Sequence, residues 1–286
     1  MTHTHLYSIE DVRKTYEKIH DHRRTREVIR NHSLNKDDIR EIALEGMDLS
    51  RVKEVLDLGC GYGFFTEALK ERLPVGTRIT GVDIIDAHNR ASFLDIVSDS
   101  GYLGEFVHMD AGAFLSQTPD SSFDLIIASY SLYFFAHLIE KIARVLRPGG
   151  IFLALTHTRD SLDEVVGLIP KSMEMIGIAP PKKIRIRSLF NAFCLEDGES
   201  QLRPYFNEVE RIIYKNSLSF DPDTINACID YLKKKSYLLF KEVRDHSPSK
   251  IHEMEDAFFS SIRKLAQRQG QFSIIKDDAV FRCRTF

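Results

Sequence analysis

The chain has 286 residues, 43% hydrophobic and 28% charged, with a formal net charge of -3. That content suits one large domain, or one domain with a sizeable insertion, and the balanced charge lacks the basic excess of a nucleic-acid binder. Four cysteines (Cys60, Cys194, Cys228, Cys283) stand far apart and never as C-x-x-C, so they read as reduced thiols of a cytoplasmic protein and not as a disulfide frame or a zinc site.

The first residues, MTHTHLYSIEDVRK, contain no apolar core, and no secretory signal is expected there. The longest apolar runs are strand-length, short of the roughly 20 residues of a membrane helix, so no membrane association is expected. From Ser8 to about Asn31, Val12, Tyr16, Ile19, Val28 and Ile29 recur at near-helical spacing, which predicts one or two amphipathic helices. SLNKDDIREIALEGM has the form of a capped helix, opened by Ser33 or Asn35, with Gly46 near its end.

Strands and helices then alternate. Strands are predicted at Lys53–Leu58, Arg78–Val82, Glu105–His108, Phe123–Ala128 and Ile151–Leu155. Helices are predicted at Phe64–Arg72, within Ala87–Ser98, and at His137–Leu146, the last closed by Arg-Pro-Gly-Gly. Short continuous apolar strands are those covered on both faces, and the alternation predicts an α/β, doubly wound, mostly parallel sheet. Right-handed crossovers place the carboxyl ends of these strands on one edge, where ligands bind. After Leu155 the rhythm breaks. Residues 156–200 are mixed, with APPKK as a breaker and KKIRIR (Lys182–Arg187) as a basic run. Asn207–Phe220 reads as a strand, Asp221–Gln269 as two helices, and FSIIKDDAVFRCRTF as a terminal hairpin turning at Lys276-Asp277-Asp278.

The most informative stretch is VLDLGCGYGFF, Val55 to Phe65, with Gly59, Gly61 and Gly63 at alternate positions. The dinucleotide fingerprint G-x-G-x-x-G would need glycine where Phe64 stands. A segment opening Phe64-Phe65-Thr66-Glu67 is also a poor neighbour for a pyrophosphate, which favours a bare helix amino end. A nicotinamide dehydrogenase is therefore disfavoured.

With its flanks, this stretch resembles the first motif of the class I S-adenosylmethionine-dependent methyltransferases. GVDII resembles their second motif, with Asp83 lying 26 positions beyond Asp57. FVHMDAGAF resembles the third, FDLIIASYSLYFF the fourth, and VLRPGGIFLAL the post-core motif. The five segments run in family order from about Val52 to His157, and look most like the small-molecule branch that includes ubiquinone- and menaquinone-type methyltransferases. The resemblance implies a Rossmann-like seven-stranded sheet of order 3-2-1-4-5-7-6 with its last strand antiparallel. Three regions are expected: a helical lid at 1–50, a cofactor core at 51–160, and at 161–286 the rest of the sheet with substrate-recognition insertions.

The cofactor implied is S-adenosylmethionine, with S-adenosylhomocysteine as product. Gly59, Cys60, Gly61 and Gly63 would let the backbone approach it. Asp83 would accept both ribose hydroxyls, Asp110 would take the adenine amino group beside Ala111, and Ile84 would cover the ring. Asp57 would reach the ammonium of the methionine part, and Ser129 and Tyr130 would offer backbone carbonyls. Methyl transfer is an in-line displacement, which asks mainly for alignment; a general base is needed only where the acceptor must lose a proton early. His157 is the candidate base and Tyr133 stands near it in the expected order. Tyr7, Tyr16, His20 and Arg159 are candidates for closing over a small-molecule acceptor. His20 and His22, two apart on a helix, face different ways, and no metal site is expected. RNA or protein methylation, and cofactor binding without catalysis, stay open as alternatives, although the [DN]-P-P-[YF] element of amino-directed base methyltransferases is replaced here by Ala128-Ser129-Tyr130-Ser131. The sequence leaves monomer and homodimer equally open.

Overall fold

The computed structural model describes residues 6–286, with all their side chains except those of residues 19–22 and 87. Its strands are β1 (Glu54–Leu58), β2 (Arg78–Asp83), β3 (Leu103–His108), β4 (Phe123–Ser129), β5 (Leu146–His157), β6 (Glu208–Tyr214), β7 (Ser217–Phe220), β8 (Phe272–Ile275) and β9 (Asp278–Arg284). The chain divides into two compact units. One holds residues 37–158, 191–214 and 278–286; the other holds residues 6–36, 159–190 and 215–277.

The first unit is built on a seven-stranded sheet of order β3-β2-β1-β4-β5-β9-β6. The strands from β1 to β5 are mutually parallel where they pair, and β9 runs antiparallel to both β5 and β6. This is the order expected from the family resemblance, with β9 as the reversed strand. The central strands are continuous apolar runs because helices cover both faces; Leu125, Ile126, Ile127 and Ala128 of β4 are wholly buried.

Two local expectations in this unit are corrected. Phe64–Arg72 is not an α-helix but a series of turns around a short 3-10 segment, Thr66–Leu69. The Arg40 guanidinium donates to the Phe64 carbonyl at 2.8 Å, the carbonyl an α-helix would offer to Ala68. The Ala68 N–H turns instead to the Phe65 carbonyl at 2.9 Å. The helix expected from Ser33 or Asn35 is the shorter Ile39–Leu44, capped by the Asp38 carboxylate, which accepts from the Arg40 N–H.

The second unit is mainly helical, with helices that include Ile9–Tyr16, Ile19–His32, Ile225–Lys233 and Ile251–Gln269, plus the antiparallel pair β7–β8. Ser8 and Asp11 form a reciprocal capping box at the start of Ile9–Tyr16. Phe240, Phe258 and Phe259 pack edge to face, with ring centroids 5.0 Å (Phe240–Phe258) and 5.3 Å (Phe258–Phe259) apart.

Three expectations outside the motif-bearing core are corrected as well. Asn207–Phe220 is two strands in two sheets, because the chain changes unit between Tyr214 and Lys215. The terminal hairpin does not form: β8 pairs with β7, and β9 enters the large sheet. Asp277 is not a hairpin turn residue; its carboxylate accepts the Asn216 N–H at 2.8 Å and the Lys215 ammonium at 2.7 Å. The span 221–269 breaks into more helices than two, with the short segments Ser236–Leu239 and Lys241–His246 between the longer ones. In the basic run Lys182 and Lys183 are exposed, whereas Ile184 and Ile186 are buried, Arg185 pairs with Asp245, and Arg187 pairs with Asp163.

Candidate active site

The carboxyl ends of β1, β2, β4 and β5 carry most of the residues singled out by the motifs. After β1 the chain turns sharply, and the Gly59 N–H donates to the Val82 carbonyl at 2.8 Å, tying the glycine loop to the end of β2. Gly59 has φ +70, and a Cβ there would lie 2.5 Å from the Ser131 Cβ, so only glycine fits. Gly61 has φ +53 with no atom within 4 Å of a would-be Cβ. The loop thus presents bare backbone to open space. Gly63 also has positive φ, and Cys60 is buried beside it.

Asp83 ends β2. One of its oxygens accepts the Gly61 N–H and the other the Ile85 N–H, each at 2.8 Å. These two bonds fix the carboxylate plane and leave each oxygen a further lone pair for a ligand's hydroxyls. Burial raises its pKa, against the pull of those backbone donors. Ile84, next in the chain, is half-buried.

Asp57, next to last in β1, is 1% exposed. Its Oδ2 accepts the Thr66 hydroxyl at 2.8 Å. Its Oδ1 is buried with no hydrogen-bond donor among the described residues. Burial, and to a smaller degree the Asp83 charge, push its pKa up to about 7. A buried acid that keeps one oxygen empty is costly unless a ligand completes it. The Ser129 hydroxyl, at the end of β4, is likewise buried without a partner among the described residues. Asp110 is exposed and caps the helix Ala111–Gln117, its Oδ1 accepting the Ala113 N–H at 3.0 Å. Ala111 is half-buried at the start of that helix.

Tyr130 follows β4 in the left-handed conformation, with φ +54, a strained choice for a bulky residue. Its hydroxyl donates to Asp278 Oδ2 at 2.7 Å. His157, the last residue of β5, has Nδ1 2.7 Å from Asp278 Oδ1. Asp278 opens β9 and stands directly opposite His157 in the antiparallel register, which brings their side chains to one face. The Tyr133 ring stacks against His157 at 5.7 Å and is itself buried. Burial, then Asp278, hold the Tyr130 phenol far above its ordinary pKa, so it stays protonated.

The sheet unit therefore brings together every motif residue from Asp57 to Tyr133, and His157. Sequence reading missed Asp278, Thr66 and Arg40. Asp278 carried a weak signal, an acid at the head of an apolar run, but only the strand register puts it opposite His157. The remaining candidates belong to the helical unit. Tyr7 is buried there, and its hydroxyl donates to the Leu238 carbonyl at 2.9 Å, which makes it a packing residue. Tyr16 is half-buried, with the Lys235 ammonium 6.0 Å from its ring centroid. Arg159 is exposed and its carbonyl accepts from Arg187. His20 lies on the helix Ile19–His32, and its side chain is outside the described residues. Among the described residues no three His, Cys, Asp or Glu side chains form a metal-holding group, and no helix is long and apolar enough to cross a membrane.

Residues 56–154 match the family model of the methyltransferase domain. Trans-aconitate 2-methyltransferase of Paracidovorax citrulli is 36% identical over 111 residues, 38% of this chain and 40% of that protein. Ubiquinone biosynthesis O-methyltransferase of Idiomarina loihiensis is 28% identical over 159 residues, 51% of this chain and 62% of that protein. The chain thus spans about half the length of these curated relatives. The cyclopropane synthase MmaA2 of Mycobacterium tuberculosis superposes with a TM-score of 0.51 at 16% identity, covering 98% of this chain and 99% of that one, a likeness of fold alone. The methyltransferase-domain match thus falls on the sheet unit, over the ordered motifs at the strand ends and beside the reversed β9.

Proposed function

We propose that this chain transfers the methyl group of S-adenosylmethionine to a small-molecule acceptor by in-line displacement. The observation that carries the reading is Asp57: a buried carboxylate with one oxygen empty, one turn of chain away from a glycine loop that faces open space. A ligand bearing a cation and hydroxyls completes that arrangement, and S-adenosylmethionine bears both, besides supplying an electrophilic methyl on its sulfonium. Asp83 would take the ribose hydroxyls with the lone pairs its backbone bonds leave over. Gly59, Cys60, Gly61 and Gly63 would pass their backbone under the methionine part, with Asp57 near its ammonium. Ile84, Asp110 and Ala111 would frame the adenine, Asp110 with the carboxylate capacity its capping bond leaves over. Ser129 and Tyr130 would present backbone carbonyls at the end of β4.

The chain's main work in such a reaction is alignment, which can supply ~7–11 kcal/mol. His157 and Tyr133 stand at the same sheet edge, after β5 and β4, and face the acceptor in this reading. The relatives named for trans-aconitate and ubiquinone biosynthesis support a small organic acceptor. Four buried free cysteines support a reducing compartment, and hence the cytoplasm.

Calorimetry tests the site. Asp83→Ala should weaken S-adenosylmethionine binding at least tenfold, the loss of charged hydrogen bonds of ~1.5–3 kcal/mol. Unchanged affinity would reject the assignment. Transfer of label from methyl-labelled S-adenosylmethionine into the small-molecule fraction of a host-cell extract tests the activity. Label found only in RNA or protein would overturn the acceptor class.

A further inference from the structure

Thr66 and Arg40 lie outside the family motifs, within the sheet unit, and together they lead to Asp57. Thr66 is wholly buried, and its hydroxyl donates to Asp57 Oδ2 at 2.8 Å. That bond commits Oδ2 and leaves Oδ1 as the oxygen with no donor among the described residues. Thr66 is held in a single turn, closed by the Glu67 N–H on the Gly63 carbonyl at 3.0 Å. Arg40 holds that turn on either side of Thr66. Its Nη1 donates to the Phe64 carbonyl at 2.8 Å and to the Glu67 carboxylate at 2.7 Å. Its Nε and Nη2 donate to the Asp38 carboxylate, at 3.0 and 2.7 Å. The guanidinium stands 4.5 Å from the Phe64 ring centroid, and the side chain is 7% exposed. A planar fork serves both carboxylates and the carbonyl at once; an ammonium, with its donors on a single atom, cannot span them.

We propose that Arg40 and Thr66 are positioning residues for the ammonium of S-adenosylmethionine: Arg40 fixes the turn, the turn fixes the Thr66 hydroxyl on Oδ2, and Asp57 keeps Oδ1 for the cation. This role rests on the methyl-transfer reading above. An α-helix over Phe64–Arg72 would hand the Phe64 carbonyl to the Ala68 N–H; the 3-10 turn keeps that carbonyl for Arg40. Burial, the Thr66 bond and the Asp83 charge set the Asp57 pKa, and of these the Thr66 bond draws it down. The buried Cys60 thiol beside them is pushed up and stays protonated. Arg40→Lys keeps the charge at position 40, so a change in the titration of Asp57 would come through the turn.

The test uses the full chain, free of ligand, with 13C-carboxyl-labelled aspartate, the Asp57 signal being assigned through Asp57→Asn. Thr66→Val and Arg40→Lys should each raise the Asp57 pKa by about one unit, and Thr66→Ser should leave it in place. Calorimetry at pH 7 should then show S-adenosylmethionine binding about fivefold weaker in Thr66→Val and Arg40→Lys, the fall in ionised Asp57 that such a rise implies. The double variant should lose no more than Thr66→Val alone, whereas independent losses of structure would add. Arg40→Gln, whose NH2 reaches one set of partners and not both, is the second variant at that position and should match Arg40→Lys. An Asp57 pKa unmoved in Thr66→Val, or moved there and in neither Arg40 variant, would overturn the proposal. Additive losses, or failure of both Arg40 variants to fold, would overturn it too. A wild type that binds no S-adenosylmethionine would overturn it through the methyl-transfer reading, while the Asp57 titration would still report on Arg40 and Thr66 alone.

Discussion

Asp11 in the helical unit and Asp57 in the sheet unit are the same residue in similar burial, 8% and 1% exposed, with opposite titration. At Asp11 burial opposes ionisation, but the Ser8 hydroxyl at 2.6 Å, the Ser8 N–H at 2.8 Å and the Lys241 ammonium at 2.9 Å outweigh it and hold the pKa below the ordinary range. At Asp57 burial wins, because among the described residues Thr66 alone donates to it and Asp83 adds a like charge. The contrast separates two uses of a buried acid. Asp11 caps a helix and pairs a lysine, three donors converging on its Oδ2. Asp57 is half-engaged, and its remaining capacity is what a cationic ligand can use.

The largest expected effect lies in the pH dependence of stability. Asp57 has a folded pKa above its unfolded one, so its contribution is fully present below about pH 4 and is lost as pH rises through about 7. Asp57→Asn should remove this term, making the variant more stable relative to wild type by about 3 kcal/mol at pH 8 than at pH 4. Urea unfolding at the two pH values measures it; a constant difference would mean that Asp57 is not held up by burial. Asp11 should behave in the opposite sense, its stabilisation present above the ordinary carboxylate pKa and lost as pH falls through its lower folded value. Asp11→Ala should cost about 2 kcal/mol at pH 7, the sum of a cap and a charged hydrogen bond, and much less below pH 3.

Ligand binding sharpens the same contrast. S-adenosylmethionine should bind more tightly as pH rises through about 7, when Asp57 ionises, by about tenfold between pH 6 and pH 8. Calorimetry of Asp57→Asn should show a flat profile, and Asp11→Ala should keep the wild-type one. Equal sensitivity of the two variants would erase the distinction. The smallest effect concerns Lys235 in the helical unit, whose pKa is lowered to about 8 by burial and then by Lys276 and Lys234. A depressed lysine contributes stability above its unfolded pKa and loses it as pH falls through the folded one. Lys235→Met should therefore stabilise by about 1 kcal/mol at pH 7, with the gain vanishing near pH 10, as thermal melts at both values would show.

Legibility differed sharply along the chain. Strands β1 to β5 were readable because a strand covered on both faces must be apolar throughout, and their runs stand out from the charged segments between them. The glycine loop was readable because Gly59 has no room for a Cβ and the backbone there needs positive φ. Phe64–Arg72 was not: its residues favour a helix, and the carbonyl that would continue one is taken by Arg40, 24 positions earlier in the chain. The helical unit was read as one or two amphipathic helices, a mixed stretch over 156–200 and two helices over 221–269, since its core is assembled from three separate stretches, none with a periodicity of its own long enough to declare the others.

By itself the sequence determined the local chemistry of the cofactor edge: which turns need glycine, where each acid ends its strand, and how those strands alternate with helices. These depend on backbone sterics and on burial of neighbouring residues, interactions that close within a few positions. Tertiary structure alone decided that Asn207–Phe220 would divide between two sheets, and that β8 would pair with β7 instead of closing a hairpin with β9. It also decided that Asp278, 121 positions beyond His157, would meet it at 2.7 Å. Cross-strand register is set by packing over the whole sheet, so a pair that it creates leaves no spacing signature in the chain.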